Sequence, residues 1–258
     1  MTEHPTMKHT YRAIRCSTAL AASLASGLGI LLSGGAASAQ SLTVLPVNIQ
    51  MAPRQMATSL SVINQGSAET SVQLRAFTWK QSNGKDELTP TSDVQLSPPI
   101  VTIQPGATQV VRLVLRRAPK GNESSYRILL DQIPPAADSG TVRIALRLSI
   151  PVFAAPGGRV DAKIQYRVEN MDGVATLTAV NEGTRHDTLR DVTLRSSAGG
   201  DMKAVSNTSP YILAGATRSW PIDMGKAGAL PLPGTTVQMS GVSDKGVISQ
   251  ALMVVSGP

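Results

Sequence analysis

Beyond its first 40 residues this 258-residue chain is written in twos. Apolar side chains recur at alternate positions in short runs, and the longest run takes in Val142, Ile144, Leu146, Leu148, Ile150 and Val152. A period of two is the pleat of a β-strand, whose successive side chains point to opposite faces; a helix would repeat near 3.6. Helical periodicity is almost absent. The chain is therefore expected to be all-β, and short strands set off by Pro, Gly, Asn and Ser turns are the pattern of a β-sandwich.

The same alternation picks out the other strands. Residues 59–64 form one, closed by the turn Asn64-Gln65-Gly66-Ser67, and residues 71–79 form the next, with Val72, Leu74 and Ala76 on one face. In 108–116 the inward residues are Val111, Leu113 and Leu115; in 125–131 they are Tyr126, Ile128 and Leu130. Proline falls between strands or at their starts (Pro98, Pro99, Pro105, Pro134, Pro135), where no ladder donor is lost. After Phe153 the small residues 154–158 read as a linker, and a weaker alternation resumes at Ala162, Ile164, Tyr166 and Val168. The length suits two domains of about 100 residues each. The expected division is a first β-sandwich over 41–153, a linker over 154–159 and a second β-sandwich over 160–258.

Residues 1–39 stand apart. Lys8, Arg12 and Arg15 precede an apolar run that ends at Ala37-Ser38-Ala39, the layout of a cleaved export signal. The run is short for a membrane span, which needs about 20 residues. The expected product is exported, soluble and not inserted in a membrane. The single cysteine, Cys16, lies inside the signal, so the exported chain has no disulfide and relies on its core. Three basic residues and one acidic residue precede residue 40, so of the net charge of +7 the rest of the chain keeps +5. That excess is scattered along strands, and aromatic residues are only 3%, which argues against a nucleic-acid partner.

Catalytic chemistry has little to work with. His186 is the only histidine past residue 9 and sits in a turn-like stretch, where it reads as an exposed loop residue. No Gly-x-Ser-x-Gly elbow accompanies it, one histidine without cysteine makes a poor zinc site, and Asp86, Glu87 and Asp93 lack the spacing of a calcium loop and read as a solvated hairpin. The expectation is a protein without catalytic residues, metal or cofactor. The run over 142–152 is the stronger feature. By pattern alone it is either an ordinary core-facing strand or an apolar edge kept for pairing with another chain.

The stretches 60–66, 77–81, 89–93 and 97–99, then Ile103-Gln104-Pro105-Gly106, 123–127, 132–134 and Ser149-Ile150-Pro151-Val152-Phe153, resemble the N-terminal domain of the periplasmic chaperones of the chaperone–usher pathway. The likeness covers nearly all of 42–153, in order. It implies two immunoglobulin-like β-sandwiches set at an angle, boomerang-like. It also implies a protein of the periplasm that lends a strand to an incomplete pilus or fimbrial subunit and passes it to an outer-membrane usher. The donor strand would be residues 141–150, with Val142, Ile144 and Leu146 as first anchors and Leu148 and Ile150 extending the series. An exposed donor strand would also admit a second copy of the chain, as a self-capping homodimer.

In well-known members of this family a basic pair holds the subunit's terminal carboxylate. The matching positions here are Asn48 and Pro151, which places the chain nearer the archaic and spore-coat-protein-U-type branch. The anchoring role then falls to Arg127 first, and to Arg112 and Arg147 next. Two readings of other kinds compete: a structural pilus or coat component, and a secreted carbohydrate-binding β-sandwich. The second would need exposed aromatic side chains, and only Trp79 and Trp220 are tryptophans.

Overall fold

The computed structural model of the chain describes residues 42–82, 84–134, 144–171, 174–196, 200–204, 209–224 and 231–256. The expected export signal and the donor residue Val142 lie outside them. Every regular element among the described residues is a strand. Ten belong to the first half: β1 (Leu42–Leu45), β2 (Ile49–Met51), β3 (Ala57–Asn64), β4 (Thr70–Ser82), β5 (Lys85–Pro90), β6 (Val94–Ser97), β7 (Ile100–Ile103), β8 (Thr108–Leu115), β9 (Ser124–Ile133) and β10 (Arg147–Ala154).

These ten strands make two stacked sheets. One runs β1-β3-β8-β6, and the other runs β2-β10-β9-β4-β5, with β7 also on β4. The inward phases of both meet in one core: Leu60 and Val62 from β3, Val111 and Leu113 from β8, Val72 and Leu74 from β4, Ile128 and Leu130 from β9. For β4, β8 and β9 these are the faces that the alternation assigns inward. Chain entry is shared between the sheets. β1 pairs with β3, then the chain crosses at Pro46 and β2 adds to β10 in parallel, over residues 152–154 only.

Nine strands follow: β11 (Ile164–Met171), β12 (Val174–Asn181), β13 (Asp187–Thr188), β14 (Arg190–Ser196), β15 (Asp201–Ala204), β16 (Tyr211–Ile212), β17 (Thr217–Asp223), β18 (Thr236–Ser243) and β19 (Gly246–Ser256). Seven of them close on themselves in the order β11-β12-β17-β15-β14-β18-β19, with β19 returning parallel to β11. The second sandwich is therefore stitched along both seams, around Val168, Leu177, Leu194, Trp220, Met239 and Val254.

The expected linker is shorter than its composition suggests. Ala154 completes β10, and Pro156 is buried. Further on, residues 161–163 lie against the loop after β12: Glu182 N–H donates to Lys163 O at 2.9 Å and Thr184 N–H to Asp161 O at 2.8 Å. Gly183 is what permits this backbone-on-backbone approach, because a Cβ there would sit 2.3 Å from Asp161 O.

Candidate functional site: an open edge on β10 and the polar joint at its base

Antiparallel pairing with β9 covers β10 along its whole length, Arg147 opposite Asp131 through Ala154 opposite Ser124. Just upstream, Leu146 still joins the ladder: Gln132 N–H donates to its carbonyl at 2.9 Å, and the Gln132 side-chain oxygen accepts its N–H at 3.2 Å. The other side of β10 is different. β2 covers it at 152–154, and among the described residues no strand pairs with it at 147–151. Hydrogen-bonding groups alternate along an antiparallel strand, and Leu146 faces β9. Arg147 and Ser149 therefore turn their N–H and C=O to the open side.

The five expected donor residues separate along this strand. Ile144 is 89% exposed and Leu146 37% exposed. Leu148 is half-buried against the core, and Ile150 is a core residue at 4% exposure. Ile150 is thus corrected from groove anchor to core, and Leu148 is largely committed to it as well. The reason is the ladder: once β10 joins β9, the phase of Leu148, Ile150 and Val152 becomes the interior of the sandwich.

The three arginines also separate. Arg112 lies exposed on β8, in the opposite sheet from β10, and leaves the set of anchors. Arg147 forms an ion pair with Asp131, which Arg75 also holds at 2.7 Å, so its guanidinium is already engaged. Arg127 is placed otherwise. It stands opposite Pro151 across the β9–β10 ladder, and Pro151 is one step before Val152, which pairs with Ile49 on β2. Pro151 and Arg127 thus face one another across the ladder, with Asn48 immediately ahead of β2, and Arg127 is the one basic side chain of the three. Its guanidinium lies 3.7 Å from the Trp79 ring centroid and 5.5 Å from that of Tyr211, a cation–π arrangement, and donates to Ser209 Oγ at 3.2 Å. Burial pushes its pKa down, and the charges of Asp86 and Tyr211 partly offset this. Among the described residues no carboxylate forms an ion pair with it.

The face of the sheet that carries Arg127 packs on the second half of the chain. Trp79 and Phe153 join Leu213 and Ala216 in a small apolar cluster, with Tyr211 edge-on to Trp79 at 5.4 Å. Around it the contacts are polar. Gln81 reads the backbone of β16 from both sides, donating to Tyr211 O and accepting from Leu213 N–H, each at 2.9 Å. Arg218 on β17 is 2% exposed and donates to Gly84 O at 3.0 Å and to Asp86 Oδ1 at 3.1 Å, so the β4–β5 hairpin expected to be solvated is pinned. A cleft of about 440 Å³ opens beside these contacts, between Trp79, Gln81 and Glu123 on one side and Leu213 and Gly215 on the other.

His186 corrects an expectation. It is 2% exposed, stacked on Phe153 at 3.5 Å and bonded through Nδ1 to Glu123 at 2.5 Å. The loop that carries it is organised by Asn181, whose amide donates to Arg185 O, Ile212 O and Leu213 O. Turn-rich flanks pointed to the surface, and no local pattern announces Glu123 as a partner 63 residues away. Arg218 did carry a signal: it shares the inward phase of Trp220 and Ile222, where an arginine must be paired. Trp79 and Trp220 are both buried, which removes the exposed aromatic platform that a sugar-binding sandwich would need.

Residues 41–159 match the family described as pili and flagellar-assembly chaperone, PapD N-terminal domain. Among solved structures, the chain is similar to that of the CsuC–CsuE chaperone–tip adhesion subunit pre-assembly complex from archaic chaperone–usher Csu pili of Acinetobacter baumannii. The TM-score is 0.63 and the identity 23%, over 84% of this chain and 100% of that one. The YadV chaperone gives a TM-score of 0.59 at 15% identity over 82% and 98% of the two chains. The E. coli chaperone DraB gives 0.52 at 19% over 84% and 97%. At these identities the likeness speaks for the fold, two immunoglobulin-like β-sandwiches. No curated protein matches the chain by sequence.

Proposed function

Because residues 41–159 match the N-terminal domain of the pili and flagellar-assembly chaperones, we propose that this chain is a chaperone of that kind, which binds a pilus subunit along the open side of β10, holds it in the periplasm and delivers it to an outer-membrane usher. Residues 1–39 would be the export signal. The observation that carries this reading is the uncovered side of β10 at 147–151, continued upstream by the exposed apolar residues Ile144 and Leu146. A subunit lacking a strand would pair with the free N–H and C=O groups, and its groove would take these side chains. Burying each is worth about 1.5–3 kcal/mol before ordering costs. The role is one of binding, without catalysis.

Arg127 is our choice for the subunit's terminal carboxylate. Its guanidinium lies over the Trp79 ring and is paired with no carboxylate among the described residues, and a guanidinium fork suits bidentate capture of a carboxylate. Arg127→Lys would keep the charge and lose the fork, so it should retain only part of the binding that Arg127→Ala loses.

Periplasmic co-expression with the small secreted β-protein encoded nearest to this chain, and purification through a tag on the chain, tests the reading. A one-to-one complex by native mass that disappears with Ile144→Arg supports it. Retention of no partner, or equal capture by the variant, removes it.

A further inference from the structure

Several buried polar atoms at the joint have no hydrogen-bond partner among the described residues: Asn48 Oδ1, Trp79 Nε1, Arg218 Nε and His186 Nε2. The last is distinctive because it can change its protonation. Glu123 Oε1 accepts from both the backbone N–H and the ring Nδ1 of His186, at 3.1 and 2.5 Å, so the ring's first proton belongs on Nδ1. In a neutral ring Nε2 is then a lone pair, and the nearest charged atom is Asp244 Oδ2 at 3.8 Å, another acceptor. A second proton turns this mismatch into an attraction between a cation and two carboxylates.

The charges around the ring are few. Glu123 lies ahead of β9 and is 3.9 Å from Arg185; Asp244 follows β18, is 3.9 Å from Arg190 and accepts from Thr188 Oγ1 at 2.7 Å. Asp187, the ring's own neighbour, is occupied by the N–H groups of Thr188 and Asp244. Tyr211 stands 5.9 Å away, with the Arg127 guanidinium 5.5 Å from its ring, and the Phe153 ring covers one face of the imidazole. Phe153 belongs to β10, so the imidazole touches both halves of the chain and the base of the open strand.

We propose that His186 is a proton-responsive joint: the doubly protonated ring bridges Glu123 and Asp244 and grips Phe153, and loss of the Nε2 proton loosens the hold of the second half on the base of β10. The inference stands independently of any bound subunit. Gain of a proton on the ring as the pH falls tightens the joint, and its loss as the pH rises loosens it.

Hydrogen exchange of the free chain tests this, read on backbone amides at 153–155 and 185–188 and corrected for intrinsic rates. The wild type is expected to exchange about tenfold more slowly at pH 5.5 than at pH 8, the scale of one charge-assisted bond. Asp244→Asn and His186→Gln should each flatten that dependence. A wild type without pH dependence overturns the proposal, as does retention of the full dependence in Asp244→Asn, the variant that leaves the buried ring in place. If His186→Gln fails to fold, the Asp244→Asn result decides.

Discussion

The sheet that holds β10 has two sides, and they are opposite in character. On the far side β5 presents Lys85, Asp86 and Glu87, and all six of its residues are exposed. Charge on an outer strand discourages pairing with another chain, the usual protection of a sheet edge. On the near side, among the described residues, no strand covers β10 over 147–151, and Ile144 and Leu146 precede it. The second half avoids the question by closing its ladder. A chain that protects one edge with charge and closes another domain completely has the means to protect β10 too. The proposed role as a binding surface gives the open side of β10 a reason to stay unprotected.

The sharpest way to break this contrast is inside β10 itself, where one apolar phase serves two purposes. Ile150→Arg places a charge in the core and should cost more than about 4 kcal/mol, enough to unfold the first sandwich. Ile144→Arg, six residues earlier on the same phase, should leave the urea midpoint within error and abolish subunit capture. Equal loss of stability in both would mean that 144 is part of the core and that the strand has no free segment.

The next effect concerns how the two halves are joined. Arg218 is buried, and its partner Asp86 on exposed β5 keeps about a third of its side chain accessible, so removing the arginine empties a buried site and takes the donor from Gly84 O and Asp86. Arg218→Ala should lower stability by about 2–4 kcal/mol. The loss should appear first as faster exchange in the β4–β5 hairpin. Exchange limited to β17 would show that the hairpin does not depend on this contact, and β5 would then be protected by charge alone.

Much of this was legible in the sequence, and the boundary is physical. Alternation reports which face of a strand is apolar, so Val72, Leu74, Val111, Leu113, Ile128 and Leu130 were placed correctly. It does not report where a ladder begins, and for that reason 141–150 reads as one donor series although Ile150 belongs to the core. Pairing partners far apart in the chain are equally silent. His186 with Glu123, and Gln81 with the backbone of β16, depend on how the two halves meet. Arg218 was the exception, since a charged residue in the phase of Trp220 and Ile222 demands a partner.

A smaller effect separates the two edges by affinity. Leu146→Lys gives the near side the chemistry of β5 while leaving the ladder bonds of residue 146 to Gln132 intact. Losing one buried aliphatic contact should weaken subunit binding about 10- to 100-fold, measured by titration of purified subunit. An unchanged Kd would move the interface away from this edge.

The mildest test asks what fastens the open segment of β10 to its sheet. Asp131 takes hydrogen bonds from Arg147 on β10 and Arg75 on β4, so three strands meet at one carboxylate. Burial pushes its pKa up, but the hydrogen bonds and charges of the two arginines outweigh this and hold it below the usual value of 3.8. A carboxyl whose pKa is lower folded than unfolded contributes stability above its unfolded value and loses it as the pH falls through the folded one. The wild type should therefore exceed Asp131→Asn in urea midpoint at pH 7, with the difference shrinking below about pH 4. Both arginines are substantially exposed, so the difference should be small. Were it constant from pH 7 down to about pH 2.5, Asp131 would act through packing, and the ladder to β9 alone would hold β10 open.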